Sequence, residues 1–370
     1  MGRFDGTSNF PPNHLFGFFP GISAGWLINQ ENFLKNVSWL SQLKLRGGYG
    51  TTGNESITAG NNYVYSLYAL TTNYSYLIGN QSYNSGFVQT QLGNPDLKWE
   101  SDSQIDAAID FGFFHDRING SFDYFQRTAR NLLDFRVLPS ENAFTTQAFN
   151  VGSTRSTGVE LTLRTENFVS KQFSWSTELT LGTVKSFWVQ RNPAVALAPY
   201  IGYHDPIHAV YGWKTDGLIR SVSDIPTYQQ GAYVGNIKYV DLNGDGKLDI
   251  NDVTYLGNSD PKGTFGLNNT LKYKNFDFNF FIYGSYGYFA WDAFETFADI
   301  GRVLTRIGMP GNVDIHALNT FSPLINPNGI YPGLASDVAA NNNPTGNNYL
   351  TVKNGYFARL KNITIGISVH

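Results

Sequence analysis

The stretch Ile105–Arg117, IDAAIDFGFFHDR, places an apolar residue at every second position and then ends in a polar turn. Polar or small residues such as Asp106 and Asp110 occupy the positions between the apolar ones. Successive side chains of a β-strand point to opposite faces, so the pattern predicts a strand with one apolar and one polar face. Phe114–Arg117 then predicts a short turn into a second strand.

The same alternation recurs along the chain in runs of about ten residues, whereas ordinary strands have about five or six. Strands of about ten residues suit a tilted crossing of a lipid bilayer. The opposite face of small polar side chains suits a water-filled interior. The other runs are Val159–Leu163, Phe173–Leu181, Phe276–Ile282 and Ile363–Val369.

Short polar turns join adjacent runs, and long polar segments separate the resulting pairs. Short turns at one end and long loops at the other are typical of an outer-membrane β-barrel. A water-soluble β-sandwich also buries one face of each strand, so it stays as the alternative architecture. The predicted turns are Phe114–Arg117, Glu166–Gln172 and Lys274–Asn275, and the long segments are Thr51–Asp96, Arg191–His208 and Ala290–Asn354.

The composition also favours β-structure with many turns. The 370 residues are 15% aromatic and 15% charged, with 38 glycines, against about 25% charged residues in a typical soluble domain. A net charge of -3 without a Lys/Arg cluster argues against a nucleic-acid partner. The absence of cysteine excludes disulfides and thiolate metal sites. No apolar run is long enough for a membrane-spanning helix.

The segment Asp241–Asp252, DLNGDGKLDIND, has the oxygen-donor spacing of an EF-hand loop. The preceding GAYVGNIKYV predicts a strand, and Val253–Gly257 predicts one helical turn at most, so a helical calcium sensor is not expected. We predict a structural Ca²⁺ loop that fastens an extracellular excursion. The alternative is an Asx-rich turn held by its own hydrogen bonds. The predicted ligands are Asp241, Asn243, Asp245, the carbonyl of Lys247, Asp249 and Asp252.

No catalytic constellation stands out, and we predict that the protein is not an enzyme. Gly21–Gly25, GISAG, matches a nucleophile elbow, but the strand alternation continues through it, whereas that motif needs a turn into a helix. Pro206 prevents a regular helix between His204 and His208, which argues against a metal site there.

Aromatic residues are candidate contacts for a glycan or peptide ligand, because sugars stack on the faces of Tyr and Trp rings. An interfacial aromatic girdle, or packing against a partner protein, is the alternative role for such rings. The candidates are Tyr74, Tyr76, Trp188 and Trp213.

Several segments, ordered along nearly the whole chain, resemble the SusC/RagA family of TonB-dependent outer-membrane transporters from Bacteroidota. Each segment alone has low specificity, whereas the ordered set is specific. The segments are Arg3–Trp26, Trp39–Asn54, Asn94–Glu100 (NPDLKWE), Ser156–Leu163 (STGVELTL), Tyr211–Ile219 (YGWKTDGLI), Lys238–Gly287 and Tyr356–Ile367 (YFARLKNITIGI).

The resemblance implies an all-β fold, an antiparallel transmembrane barrel of about 22 strands with long extracellular loops. Residues 1–370 are then part of the C-terminal barrel domain, with about 10 to 13 strands and without the plug, the TonB box or the last strands. Residues 241–252 form the calcium loop within an extracellular excursion.

The resemblance further implies import of oligosaccharides or peptides across the outer membrane of a Gram-negative bacterium. The implied partners are a SusD-like surface lipoprotein, TonB acting through the N-terminal region, and outer-membrane lipid. The alternative function is that of a secreted calcium-dependent adhesin or carbohydrate-binding β-protein.

Overall fold

The computed structural model describes residues 1–55, 63–78, 82–291, 318–332 and 352–368. The helical elements in these ranges are three 3₁₀ turns, at Ile28–Gln30, Val222–Asp224 and Ile250–Asp252. No helix in the described residues is long and apolar enough to cross a membrane. The strands are β1 (Gly2–Gly6), β2 (Phe16–Leu27), β3 (Leu40–Asn54), β4 (Leu67–Ile78), β5 (Ser82–Gln91), β6 (Glu100–Phe113), β7 (Ile118–Arg130), β8 (Leu133–Val137), β9 (Thr146–Asn150), β10 (Ser153–Val169), β11 (Phe173–Gln190), β12 (Ala209–Trp213), β13 (Thr215–Leu218), β14 (Ile237–Tyr239), β15 (Val253–Asn258), β16 (Gly263–Tyr273), β17 (Phe276–Trp291) and β18 (Val352–Ile367).

One large sheet holds ten of these strands, in the order β1-β2-β3-β6-β7-β10-β11-β16-β17-β18. The pairings from β1 to β11 are all antiparallel. Strands β6 and β7 pair without a register shift from Ser101↔Arg130 to Phe113↔Ile118. The prediction of an antiparallel sheet of long strands is confirmed. The ten strands of this sheet lie within the predicted range of about 10 to 13 barrel strands.

The strand pairs inserted in the described part of the chain follow strands that end at the same end of this sheet. Strands β4 and β5 lie between β3 and β6, strands β8 and β9 lie between β7 and β10, and β12 to β15 lie between β11 and β16. At the other end Phe114–Arg117 and Lys274–Asn275 join successive strands, as predicted. The turn predicted at Glu166–Gln172 is shorter, because Phe168 pairs with Trp175 and extends the ladder beyond a register shift.

The chain divides into two compact units, the first of which holds most of the sheet. Unit 1 comprises Met1–Ala196, Phe265–Tyr283 and Leu360–His370. A small core in this unit contains Phe10, Val64, Leu97 and Ala148. The motif NPDLKWE contributes Leu97 to this core, and Asn94 Nδ2 donates to the Ala148 carbonyl at 2.8 Å. The motif therefore connects β9 with the segment that precedes β4.

Unit 2 comprises Leu197–Thr264 and Gly284–Arg359 and has its own core around Trp213. The buried Gln229 fastens β14, because its Nε2 donates to the Ile237 carbonyl at 2.6 Å and its Oε1 accepts from the Tyr239 amide at 3.0 Å. Lys238 is the middle residue of β14, and a hydrogen bond to Asp216 raises its pKa.

Two local predictions in unit 2 are corrected by the structure. The strand predicted from GAYVGNIKYV is limited to Ile237–Tyr239, because Gly231 and Gly235 have φ of 77° and 101° and bend the chain before it. Val253–Gly257 forms part of strand β15 instead of a helical turn. The pairing of β15 with β12 explains this difference, since it supplies the backbone hydrogen bonds that a helical turn would otherwise make.

Candidate functional site

The central strands of unit 1 carry most of their charged side chains on one face, which we call the charged face. Directly paired residues of antiparallel strands point to the same side of a sheet. The register therefore places Arg46, Ala108, Asp123 and Glu160 in one row on this face, across β3, β6, β7 and β10. The positions between them face the other way, and we call that side the apolar face.

Arg46 forms the centre of a charge network that spans three strands. Its Nε lies 3.1 Å from Asp110 Oδ1 and 3.2 Å from Asp110 Oδ2, and its Nη2 donates to Asp123 Oδ1. The small side chain of Ala108, directly opposite Arg46, leaves the guanidinium room to cross β6. Charge-assisted hydrogen bonds of this kind are shorter and stronger than neutral ones.

Further ion pairs follow the same face along β6, β7, β10 and β11. Arg127 pairs with Asp102, and Arg164 Nη2 lies 3.5 Å from Glu178 Oε2. Arg46 and its partners are not among the predicted site residues, although alternation in β3 and β6 was a signal for their common face. The missing information was strand adjacency, which only the register provides.

The apolar face of these strands is exposed in the described chain. One row contains Leu45, Ile109, Phe122 and Leu181, which are 38%, 40%, 44% and 41% exposed. Contiguous exposed apolar surface of this extent marks a surface that meets protein or lipid instead of water. Leu161, paired with both Phe122 and Leu181, extends the row.

Aromatic rings border this apolar face at the end of the sheet with the short turns. Trp26 Nε1 donates to Glu31 Oε1 at 2.9 Å, and Trp175 Nε1 donates to Asn269 Oδ1 at 2.9 Å. Rings with one polar atom satisfied and one apolar surface exposed are typical of a membrane–water interface. The exposed rings at this end include Trp26, Trp39, Phe168 and Trp175.

The loop Asp241–Asp252 is held closed by its own amides. Asp241 accepts from the amides of Gly244 at 2.7 Å and Gly246 at 2.9 Å. Asn243 Oδ1 accepts from the Asp245 amide, and Asp245 Oδ1 accepts from the Lys247 amide, each at 2.9 Å. The loop therefore has the Asx turns of the alternative prediction, and its oxygen donors are of the class that Ca²⁺ prefers.

Asp252 and Asp249 fasten the end of this loop. Asp252 is 0% exposed, and its oxygens accept from the amides of Leu242 at 2.8 Å and Asp249 at 2.9 Å. Asp249 Oδ1 accepts from the Asn251 amide at 2.7 Å. In the part of the chain that the structure describes, no three His, Cys, Asp or Glu side chains are grouped to hold a metal. The oxygen atoms of this loop are suitable ligands for a hard cation. Each carboxylate, however, is held apart from the others by the hydrogen bonds that it accepts from backbone amides.

The predicted ligand-contact residues lie in three different settings. Trp213 is 1% exposed, its ring meets Tyr239 at 5.0 Å, and its Nε1 donates to the Asp249 carbonyl at 2.9 Å. This burial gives Trp213 a core role beneath the loop in place of the predicted ligand contact. Tyr74 and Tyr76 lie on β4, but their side chains are outside the described part of the structure.

Trp188 is the predicted contact residue that the structure places on the charged face. It pairs with Thr154 near the end of β11 that leads into the long insertion. Its ring is half-buried, and Arg191 Cζ lies 5.0 Å from the ring centroid. An aromatic surface beside a cation offers both stacking and charge to a polar ligand.

Comparison with known proteins gives a consistent set of relatives. Residues 2–194 match the model of a family described as TonB dependent receptor-like, beta-barrel. TonB-dependent receptor P3 of Formosa agariphila is 30% identical over 307 residues, covering 77% of this chain and 30% of that protein. TonB-dependent receptor SusC of Bacteroides thetaiotaomicron is 28% identical over 391 residues, covering 99% of this chain and 35% of that protein.

Among solved structures, the RagAB peptide transporter matches with a TM-score of 0.74 at 22% identity. This match covers 98% of the present chain and 38% of the chain in that structure. The present chain thus spans about a third of the length of the curated relatives. The shared fold agrees with the antiparallel sheet and its two unlike faces.

Proposed function

The chain belongs to the TonB-dependent receptor family, and on that premise we propose that it forms part of the wall and extracellular loops of a nutrient importer. TonB-dependent receptors of the SusC/RagA type are outer-membrane β-barrel proteins of Bacteroidota, which places this protein in the outer membrane. The proposed domain assignment follows: residues 1–370 belong to the barrel domain, and residues 241–252 to an extracellular excursion.

The observation that supports this function best is the division of one sheet into a charged and an apolar face. In a barrel wall, the apolar face meets lipid and the charged face lines a polar interior. The exposed row of Leu45, Ile109 and Phe122 is compatible with contact to lipid chains. The charge network around Arg46 is compatible with a water-filled barrel interior. A secreted adhesin, the alternative function, would leave that apolar row in water.

The proposed cargo is an oligosaccharide or a peptide, and transport is proposed to occur without catalysis by this chain. One relative by fold is described as a peptide transporter, which supports the peptide class. Trp188 beside Arg191 supports either class, because a ring can stack on a sugar and a cation can bind a peptide carboxylate. We propose a SusD-like surface lipoprotein and TonB as partners of the full-length protein.

Growth of a deletion strain on defined oligosaccharides and peptides tests the proposed import. The wild-type gene should restore growth on at least one of these substrates. A Trp188→Ala variant should lower uptake at limiting substrate by roughly two- to tenfold, the loss expected from one stacking interaction.

Phe187→Ala is the matched control, because Phe187 is the neighbouring residue on β11 and lies on the apolar face. This variant should take up substrate at the wild-type rate when its amount in the membrane is equal. If the deletion strain grows normally on every oligosaccharide and peptide tested, the importer proposal is wrong.

We also propose that Ca²⁺ binds the loop Asp241–Asp252 as a structural fastener. Support comes from the donor spacing and from a closed loop whose first half presents Asp241, Asn243 and Asp245. Asp252, with both oxygens on backbone amides, anchors the end of the loop.

Hydrogen exchange of the loop amides in the full-length protein tests this cation. With about 10 mM Ca²⁺, roughly tenfold or more above the dissociation constants of extracellular sites, exchange of the Gly244 and Gly246 amides should slow relative to EGTA. Asp245→Ala should abolish the Ca²⁺ effect and leave the β14 amides protected. Equal exchange with Ca²⁺ and EGTA would assign the loop to Asx turns alone.

A further inference from the structure

We infer that a cationic cluster on the apolar face binds the phosphorylated headgroup of an outer-leaflet lipid. The inference depends on the membrane placement in the proposed function, but not on the cargo. Among the described residues of β3, β6, β7, β10 and β11, the charged side chains on the apolar face are Arg130, Arg155 and Lys185. All of them are cations, whereas the charged face of the same strands holds residues of both signs.

The register places these cations on three neighbouring strands, along a diagonal. Lys185 on β11 pairs with Thr157 of β10, and Arg155 lies two residues farther along β10. Arg130 on β7 pairs with Ser153, which is another two residues along. Each diagonal step is about 8 Å, from a strand spacing near 4.8 Å and a rise near 3.3 Å per residue. The cluster therefore has the width for a headgroup with more than one anionic group.

The cluster lies immediately beyond the apolar part of this face. The rows toward the short turns contain Leu45, Phe122 and Leu161, and the row in which polar side chains first predominate contains Gln126, Thr157 and Lys185 beside Ile105. Arg155 and Arg130 follow in the next two rows, toward the end that carries the long insertions. In outer-membrane barrels the long loops are extracellular, so this boundary coincides with the outer headgroup layer.

The described protein atoms leave these cations without an anionic partner. Arg155 Nε is buried and has no hydrogen-bond acceptor. Arg130 Nη1 donates to the neutral hydroxyl of Ser103 at 3.0 Å. None of the three side chains forms an ion pair with a described carboxylate. Cations at the edge of a hydrocarbon layer are stabilised by anionic headgroups, which supply the missing charge.

A hydroxyl group adds a hydrogen-bond donor to the same surface. Thr157 shares the apolar face with the cations and pairs with Lys185. Ser103 supports the cluster instead, because its Oγ accepts from Arg130 Nη1 and donates to the carbonyl of the buried Thr128 at 3.3 Å. Phosphate oxygens accept hydrogen bonds from hydroxyl groups and form bidentate contacts with guanidinium groups. The combination of Arg, Lys and Thr therefore matches a phosphorylated sugar or glycerol headgroup.

Binding of diphosphorylated lipid A to the purified full-length protein in neutral detergent tests this inference. Native mass spectrometry counts bound lipids, and titration of a labelled lipid A gives the dissociation constant. The cluster variant combines Arg130→Gln, Arg155→Gln and Lys185→Gln. The matched control removes the same charge from the opposite face and combines Lys44→Gln, Arg127→Gln and Arg164→Gln.

The cluster variant should bind lipid A on the order of a hundredfold more weakly, from roughly fivefold per cation near a membrane surface. The control variant should bind as the wild type does. Dephosphorylated lipid A should bind weakly to all forms, and millimolar inorganic phosphate should not displace the lipid. A fold-preserving Arg130→Lys/Arg155→Lys variant keeps the charge and should keep binding, and Lys185→Gln alone should lose roughly fivefold.

Equal lipid affinity of the cluster variant and the wild type overturns the inference. So does equal displacement by inorganic phosphate, which would indicate a free-anion site, or a changed oligomeric state at unchanged lipid affinity, which would indicate a protein interface. A protein that stays monodisperse without detergent would instead contradict the proposed membrane function. Unchanged nutrient uptake by the cluster variant separates the lipid site from the import route.

Discussion

Arg46 joins three strands because the residue opposite it is small. Ala108 is 6% exposed beneath the guanidinium, which reaches Asp110 on the same neighbouring strand and Asp123 one strand farther. A cross-strand ion pair usually connects two strands, so this geometry adds a link that the backbone ladder does not provide.

Substitution Ala108→Leu should separate Arg46 from Asp123 by placing a branched side chain under the guanidinium. The expected loss is about 1 kcal/mol, below the roughly 1.5 to 3 kcal/mol of a hydrogen bond to a charged group, because solvent screens the partly exposed Arg46. The urea midpoint of the full-length protein, refolded into detergent micelles, measures this change.

Ala107→Leu provides the control, because Ala107 is the preceding residue on β6 and points to the apolar face. Its free energy of unfolding should stay within about 0.5 kcal/mol of the wild type. If both leucine variants behave alike, Ala108 does not act by leaving space for Arg46.

Trp213 shows that alternation and composition do not distinguish a ligand-contact residue from a core residue. A Trp in a turn-rich segment suits ligand stacking and core packing equally well. Its 1% exposure and its hydrogen bond to the Asp249 carbonyl assign it to the core beneath the loop. Those contacts connect residues far apart in sequence, which is why the residue pattern alone did not predict them.

At the scale of elements, the loop Asp241–Asp252 depends on two left-handed glycines. Gly244 and Gly246 have φ of 73° and 78°, and their amides both donate to Asp241. The left-handed region is open to glycine and strained for residues with a Cβ atom. The two amides converge on one carboxylate only while both residues keep this conformation.

Substitution Gly246→Ala should weaken the closed loop by about 1 to 2 kcal/mol through backbone strain alone. A Cβ atom at this position has nothing within 4 Å, so a steric clash does not contribute. Hydrogen exchange at the Gly244 amide should accelerate about fivefold or more.

Gly50→Ala is the corresponding control, since its Cβ atom also meets nothing within 4 Å while its φ is not in the left-handed region. It should leave exchange in the loop unchanged and should not destabilise β3, because alanine is at least as favourable as glycine within a strand. A loop that tolerates Gly246→Ala equally well would show that closure does not need the left-handed residue.

The strands were predictable where the loops were not, for a physical reason. Alternation in β6 and β10 shows which side chains lie on the apolar face and which lie on the charged face. This signal is local, because it can be read along one strand without knowing its neighbours. The short strand β14 depends instead on Gly231, Gly235 and the side chain of Gln229, whose hydrogen bonds reach across the turn. Trp213 depends on nonlocal contacts of the same kind, so its buried setting differed from the expectation, whereas Trp188 stays a predicted ligand contact.

For the molecule as a whole, the two faces of one sheet define its environment. Leu161 and Thr162 are adjacent on β10, yet Leu161 pairs with Phe122 and Leu181, whereas Thr162 pairs with Ser121 and Thr180. The same backbone therefore presents a lipid-compatible and a water-compatible surface, and neither face alone would specify a membrane wall.

Leu161→Arg should destabilise the inserted protein by about 2 to 4 kcal/mol, since it places a cation on the lipid side near mid-depth. The amount of folded protein in isolated outer membranes, followed by heat-dependent migration on gels, should fall accordingly. Thr162→Arg changes the neighbouring residue on the charged face and should accumulate normally. Equal accumulation of the two arginine variants would contradict the assignment of the faces.

The hairpins inserted at one end of the sheet have a consequence for how such proteins diversify. Unit 2 carries its own buried Trp213 and Tyr239, so its stability does not derive only from the strands that flank it. Changes in length or residue type there should leave the pairing of β6, β7 and β10 intact. We therefore expect related proteins to vary more in the length and sequence of unit 2 than in the long paired strands of unit 1.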